Sequence, residues 1–366
     1  MSKATILLPN YNNGLYLTQC LESIQTQTFT DFKILIIDDG STDNSIDIIK
    51  NFNDNRIKLI QKDNNSGIIE TLNIGLSNID SEYIIRMDGD DLIHPERIER
   101  LINFMDNNKS FGACGSGIKH FGLSDDEIIY ESNPKINKAN LVFRHSIGHA
   151  SSIYRNSVIK KNNIRYSNGF NYLEDYKFFY DLNKVTETTS LADLLYFYRR
   201  EEYNNYKNID IKKIGFLKIY KEILTSLEFD DVEKSALIHY EISHYTSLNH
   251  SKKTYKNHLK NLICKNDVHH IFPHKEYKKV IQQAKNKLFY KLTEQSKLNP
   301  LSLYAESKIE DEKILANSNT ICFRLGTIYG ISDKFSRIRF DLVVNTLVMR
   351  AIFHNKVVPN LGKHWL

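Results

Sequence analysis

Several features that would place a chain outside the cell, across a membrane or on a nucleic acid are scarce here. Among 366 residues there are four cysteines, Cys20, Cys114, Cys264 and Cys322, far apart and without a C-x-x-C pair. That spacing excludes a dense disulfide framework, argues against a zinc knuckle, and fits a reducing compartment. No stretch of eighteen uninterrupted apolar residues occurs, so no segment reads as a bilayer-spanning helix. After Met1, Ser2 and Lys3 the chain runs straight into Ala4-Thr5-Ile6-Leu7-Leu8-Pro9. The long apolar stretch and small-residue cleavage site of a secretory signal are missing, and a cytoplasmic location is expected. Charge of one sign is also missing: 49 basic groups face 44 acidic ones, too even a balance to demand nucleic acid or an anionic membrane as partner. No internal repeat at a solenoid-like period is present.

With 41% apolar residues and 25% charged ones, the chain can still bury a sizeable core, and its apolar residues are ordered along the sequence. Ala4 to Leu8 is a short buried-strand run ended by the loop Pro9-Asn10-Tyr11-Asn12-Asn13-Gly14, and Leu15 to Thr26 has helical apolar spacing. Phe32 to Ile37 is a second strand, and the turn Asp38-Asp39-Gly40-Ser41-Thr42-Asp43 leads into a helix over Ser45 to Phe52, with Ser41 to Asp43 suited to cap it. Ile57 to Gln61, Ile68 to Leu76 and Tyr83 to Met87 continue the alternation as strand, helix and strand, the last stopping at Asp88-Gly89-Asp90-Asp91. Such alternation predicts a parallel sheet covered by helices, with ligands beyond the carboxyl ends of the strands. The acidic loops stand at those ends. A helix over Glu96 to Asp106, strands near Gly112 to Phe121 and Glu127 to Tyr130, and a mixed second half carry the pattern to about Arg200. From Ile209 to Lys297 the spacing is helical, and the register changes at Asn299-Pro300.

The three carboxylates of Asp88-Gly89-Asp90-Asp91 repel one another unless a cation is present, and hard oxygen ligands suit Mg2+ or Mn2+. An ion held by one or two protein carboxylates completes its shell with water and substrate phosphate, so a diphosphate is its natural companion. Alone, the string reads equally well as a solvated acidic turn. Asp38 and Asp39 form a second acidic loop able to accept hydrogen bonds from a base or ribose, with Gly40 leaving space where a ligand approaches.

The stretch Leu8 to Asn13, the loop Asp38 to Asp43, Asn65-Ser66-Gly67 with Leu72-Asn73-Ile74-Gly75, the string Arg86 to Asp91 and Pro95-Glu96-Arg97 together resemble the family-2 glycosyltransferases in order and spacing. The resemblance implies a GT-A fold, that is, an α/β Rossmann-like mixed sheet with flanking helices, over residues 1–200. Residues 1–105 would be the nucleotide-sugar half and residues 106–200 the acceptor half. It implies transfer from a nucleoside-diphosphate sugar to a hydroxyl of a glycan, lipid-linked or protein acceptor, with inversion at the anomeric carbon. It places Pro9, Tyr11 and Asp39 around the base and Asp88 at the ribose, with Asp38 and Gly67 in the same nucleotide-sugar set, and assigns the metal to Asp90. Glu174-Asp175 resembles the family's paired acids, with Asp175 the expected base and Glu174 the next candidate; read alone, the pair merely suits a helix N-terminus. His149 matches a position near the acceptor.

Residues 201–297 form the expected helical appendage, whose Lys-rich stretch from Lys252 to Lys291 also suits a peripheral membrane contact, although a solvated helix face explains it better. His269, His270 and His274 lack a fourth ligand at suitable spacing for zinc. Gly112 to Gly117 is glycine-rich, but Ile118 to Gly122 after it open no helix, so it reads as a closely packed strand. Residues 298–366 are of a different kind. Tyr304 and Lys308 have Tyr-x-x-x-Lys spacing and, with Phe323 to Gly330 and Arg339 to Asn345, resemble the later part of an extended short-chain dehydrogenase or nucleotide-sugar epimerase, as a truncated, partial α/β fragment. No glycine-rich nucleotide-binding unit precedes Tyr304, so NAD is not expected, and the pair reads as vestigial or as part of an oligomer contact. The alternatives are a bifunctional transferase and epimerase, or a non-catalytic nucleotide-sugar-binding scaffold.

Overall fold

The apolar runs and amphipathic stretches fold as strand, loop and helix units in a computed structural model that describes residues 2–201, 209–245 and 248–292. The first units are β1 (Ala4–Asn10), α1 (Leu17–Gln25), β2 (Phe32–Asp38), α2 (Ser45–Asn51), β3 (Ile57–Gln61), α3 (Ile68–Ser77) and β4 (Tyr83–Arg86). There follow β5 (Leu92–Ile93), α4 (Arg97–Asn107), β6 (Phe111–Gly122), β7 (Glu127–Ile128), α5 (Pro134–Asn140), β8 (Ile153–Arg155), α6 (Asn156–Lys161), α7 (Glu174–Leu182) and β9 (Glu187–Arg200).

Among the described residues these strands make one sheet in the order β3-β2-β1-β4-β8-β6-β9-β5, with β7 paired to β6. β3, β2, β1 and β4 are parallel, whereas β8 runs antiparallel to both β4 and β6. The fold is thus the mixed α/β sheet of the GT-A class. The glycine-rich stretch Gly112 to Gly117 lies within β6, paired to β8 and β9.

Both faces of the sheet are covered, which is why its central parallel strands are mostly apolar, while β3 carries exposed Lys58 and Gln61. On β1, Leu7 enters one core with Leu72 and Leu76 of α3, while Ile6 and Leu8 enter the other with Leu21 of α1 and Leu101 of α4. A Cβ on Gly75 would lie 2.1 Å from Leu7 Cδ1, so glycine lets α3 approach β1. Asp43 accepts from Ser45 N at 2.9 Å, but the residue at the start of α2 is Asn44, whose side chain makes no capping bond.

The appendage comprises α8 (Ile209–Ser226), α9 (Val232–His244), α10 (Lys252–His269) and α11 (His274–Leu292). Asp231 and Ser251 accept from Lys234 N and Thr254 N to begin α9 and α10. Buried Ile219, Ile223, Ile242, Leu262 and Ile281 extend the core that contains Phe178 and Phe179 of α7, so these helices continue the sheet region's own packing. Among the described residues no helix is long and apolar enough to cross a membrane. Tyr304, Lys308 and the whole dehydrogenase-like stretch lie outside the described residues.

Candidate active site

β2 and β4 flank β1 and all three run the same way, so their carboxyl ends open on one side of the sheet. Pro9 is buried opposite Ile37, where β1 has passed the end of its pairing with β4; Tyr11 beyond it is 46% exposed. Asp38 is fully buried and accepts from Asn10 Nδ2 at 2.7 Å, Ser41 N at 2.9 Å and Ser41 Oγ at 2.6 Å. Its observed role is to fasten the acidic loop to the end of β1. Asp39 accepts from Lys62 Nζ at 2.5 Å and from the N–H groups of Ser66 and Gly67, each at 2.9 Å. Burial pushes its carboxyl up, but Lys62 and those two N–H groups outweigh burial and hold it below the usual carboxylate range. Gly40 corrects the expectation of room for a ligand. At φ +73° a Cβ there would come 2.7 Å from the backbone carbon of Asn64, so glycine makes room for the chain's own loop.

The Asp88 to Asp91 string divides its work. Asp91 is almost fully buried and accepts from Tyr196 Oη and Arg199 N, both at 2.7 Å, which pins the loop to β9. Burial, then the charges of Asp88 and Asp90, push its carboxyl up to about 8. Asp90 is raised to about 6 by burial and by Asp88. Asp88 pairs with Arg86 at 2.6 Å and keeps 32% of its side chain exposed. Gly89 packs this loop onto the first one, since a Cβ there would lie 2.8 Å from Asn13 Nδ2 and 3.4 Å from Asn10 Oδ1. Among the described residues no group of three or more His, Cys, Asp or Glu side chains is placed to hold a metal ion. Asp90 and Asp88 nevertheless fit a hard cation that takes its remaining ligands from phosphate and water, because their mutual repulsion adds to burial in lifting Asp90.

Glu174 and His149 both lie within the electrostatic field of Arg86. This side chain is 2% exposed and donates to Met87 O as well as to Asp88. Burial opposes its charge, but Asp88 together with Tyr166 and Tyr196 outweighs burial and keeps the guanidinium cationic. Its field reaches Glu174 and His149, lowering the basicity of both. Glu174 and Asp175 occupy the first turn of α7. Burial, then Asp175, push the Glu174 carboxyl up to about 7, and its Oε2 is buried with no hydrogen-bond partner. Asp175 Oδ1 accepts from Tyr176 N at 2.6 Å. His149 shares a hydrogen bond of 2.7 Å with Tyr166 Oη, and burial, then Arg86, drive its basicity well down, leaving a neutral ring.

Residue types alone gave no role to Arg86, Arg97, Lys62, Tyr196 or Arg199. Arg97 is fully buried, donates to Arg86 O at 2.9 Å and Ala150 O at 3.0 Å, and lies 5.0 Å from the Tyr196 ring centre. Arg199 donates to Asp90 O at 2.8 Å and Gln19 Oε1 at 2.9 Å, placing a cation behind the acidic loop. A cation directly before or opposite an acidic loop, as at Arg86 and Lys62, was the available signal. The pairing of β9 with the loop was not readable before folding.

Residues 5–165 match the family described as Glycosyl transferase family 2. An uncharacterized glycosyltransferase of Haemophilus influenzae is 28% identical over 229 residues, covering 57% of this chain and 71% of that protein. The poly(ribitol-phosphate) beta-N-acetylglucosaminyltransferase TarP of Staphylococcus aureus is 28% identical over 251 residues, covering 64% of this chain and 76% of that one. Residues 1–349 of S. aureus TarS, solved in complex with UDP-GlcNAc, superpose with a TM-score of 0.56 at 20% identity over 79% of this chain and 92% of that one. With acidic loops at the ends of β2 and β4, residues 5–165 are similar to glycosyl transferase family 2, and the sheet beneath them has the GT-A architecture.

Proposed function

We propose that the chain transfers a sugar, with inversion, from a nucleoside-diphosphate sugar to a hydroxyl of a glycan, lipid-linked or protein acceptor, in a metal-dependent reaction. The observation that carries this reading is Arg86: buried, paired to Asp88 at 2.6 Å and electrostatically joined to Glu174, it ties the donor carboxylates to the paired acid in a single site. Pro9, Tyr11, Asp39 and Gly67 would border the base and Asp88 the ribose. Asp90, with Asp88 beside it, would hold Mg2+ or Mn2+, which when bound supplies positive charge to the leaving diphosphate.

Within the acid pair, Glu174, raised to about 7 by burial and then by the charge of Asp175, is the member that retains a proton near neutrality. Asp175 is then left to take the acceptor proton as the hydroxyl attacks. His149, neutral and bonded to Tyr166, would border the acceptor. The names of TarP and TarS make N-acetylglucosamine on UDP, and a polyol phosphate, the first donor and acceptor to try. The test is hydrolysis and transfer across a panel of UDP, GDP and dTDP sugars with Mg2+ or Mn2+ and then with chelator. Cleavage of at least one donor, lost on chelation, is expected; a folded protein inert toward the whole panel would contradict the proposal.

A further inference from the structure

The three carboxylates of the loop after β4 are held in three different ways. Asp88 is paired with Arg86 at 2.6 Å, and Asp91 uses both oxygens, one on Tyr196 Oη and one on Arg199 N, each at 2.7 Å. Among the described residues no other residue hydrogen-bonds to the Asp90 carboxyl. What is anchored is its backbone, where Arg199 Nε donates to Asp90 O at 2.8 Å. Arg199 therefore holds two successive residues of the loop, Asp91 through its own N–H and Asp90 through its side chain, and leaves free the one carboxyl assigned to the metal.

The guanidinium that does this is itself fixed from two other elements. Its Nη2 donates to Gln19 Oε1 of α1 at 2.9 Å. Its central carbon lies over the ring of Tyr16, just before α1, at 4.2 Å from the ring centre, and over the ring of Phe121 in β6 at 4.5 Å. Both rings attract the cation. Tyr16 is tied in turn to the end of β9, its hydroxyl donating to Glu201. A planar fork that bonds in two directions while its face rests on aromatic rings has little freedom to swing, which a compact ammonium at the same position would retain. Groups of this kind, one shell out from a metal, decide where the ligand's free oxygens point.

We propose that Arg199 is the positioning residue of the metal ligand: clamped by Gln19, Tyr16 and Phe121, it fixes the backbone of Asp90 so that the free carboxyl is presented to Mg2+ or Mn2+ and the donor diphosphate. The proposal rests on the metal-dependent transferase reading. It makes α1 and the end of β9 part of the donor site, although neither supplies a ligand.

The test is titration of the full chain with Mn2+ in the presence of UDP, followed by electron paramagnetic resonance, for the wild type, Arg199→Lys and Gln19→Ala. Lysine keeps the charge but lacks the fork that reaches Asp90 O and Gln19 Oε1 together. Arg199→Lys should weaken Mn2+ binding about tenfold or more, the usual effect of losing a group that orients a metal ligand, while UDP affinity without metal and the melting temperature stay unchanged. Gln19→Ala, at an exposed residue, should weaken Mn2+ binding by less, and it decides the matter if Arg199→Lys does not fold. Wild-type Mn2+ affinity in a folded Arg199→Lys protein, or in Gln19→Ala where the lysine variant is unfolded, would overturn the proposal. A wild-type chain that binds no Mn2+ would contradict the metal assignment and this proposal with it. One that binds Mn2+ through Arg199 yet cleaves no sugar donor would contradict the transferase reading alone.

Discussion

The sheet region and the helical appendage differ in how many buried polar atoms they leave unpaired. In the appendage, His239 bonds Val142 O at 2.7 Å and His258 at 3.1 Å, Glu241 accepts from Tyr255 Oη at 2.5 Å and shares a bond of 2.9 Å with His250, and Asn266 bonds both the N–H and the C=O of Phe272. In the sheet region Asn10 Oδ1, Ser45 Oγ, Arg86 Nε, two nitrogens of Arg97, Asn137 Oδ1, Ser146 Oγ, Asn156 Oδ1 and Glu174 Oε2 are buried without a partner, those of Asn10, Arg86, Arg97 and Glu174 on or near the proposed site; in the appendage Tyr277 Oη is. Buried polar atoms are ordinarily satisfied, at a cost of roughly 1–3 kcal/mol each when they are not. Unpaired buried atoms are therefore concentrated in the sheet region, four of the residues that carry them standing where chemistry is proposed.

The largest effect should come from Asp90. Asp90→Ala should remove metal-dependent donor binding and lower transfer about a hundredfold or more, in the range of lost charge stabilisation at a diphosphate. Because protons and cations compete for a carboxyl raised to about 6, the melting-temperature increase from Mn2+ plus UDP should grow as pH rises through 6 in the wild type. Donor-dependent stabilisation that ignores both the variant and the pH would move the metal elsewhere.

Arg86 separates the two regions next. Arg86→Met leaves Asp88 without its partner and should cost about 3 kcal/mol, the low end for a buried pair because Asp88 remains 32% exposed. Turnover should fall as well, since the link to Glu174 goes with it; denaturant melts and kcat on the same samples check both. In the appendage, His258→Phe leaves the ring nitrogen of His239 unpaired and should cost roughly 1–3 kcal/mol with no change in turnover. A comparable loss of turnover there would erase the division between the regions. The sign with pH follows from burial, which lowers His239 to about 4. The unfolded chain binds the proton more readily, so appendage stability is present above about 6.5 and is lost as pH falls toward 4. Smallest of all, Tyr304→Phe should leave transfer unchanged, because no glycine-rich phosphate site precedes it to supply a dinucleotide.

Much of the fold was legible because β1, β2 and β4 are largely buried apolar runs of four to seven residues that stop at polar loops, with β3 a half-buried strand beside them. The site was legible to the extent that it sits on strand ends. Asp39 and the Asp88 to Asp91 string could be placed there before any coordinates, since loop and strand are adjacent in sequence. Features that depend on distant pairing were not legible. β5 and β8 are two and three residues long and exist only through β9, β4 and β6. Asp38 looks like a ligand by residue type, and only its contacts with Asn10 and Ser41 show it holding the loop. Gly40 was assigned to a ligand when its space is filled by Asn64 and Asn65. The appendage read as one helical stretch because its breaks, after Leu227 and around His270, are set by left-handed residues such as Glu228 and His270 with no glycine to mark them.

The central claim is that the acid pair on α7 does the chemistry while the loops of β2 and β4 hold the donor. Its most direct test is Asp175→Asn, assayed for turnover and, in parallel, for donor affinity in the presence of metal. The substitution preserves shape and removes the group that accepts the acceptor's proton, so turnover should fall about a hundredfold or more while the donor dissociation constant stays within about twofold. Normal turnover in a folded Asp175→Asn protein would contradict the claim.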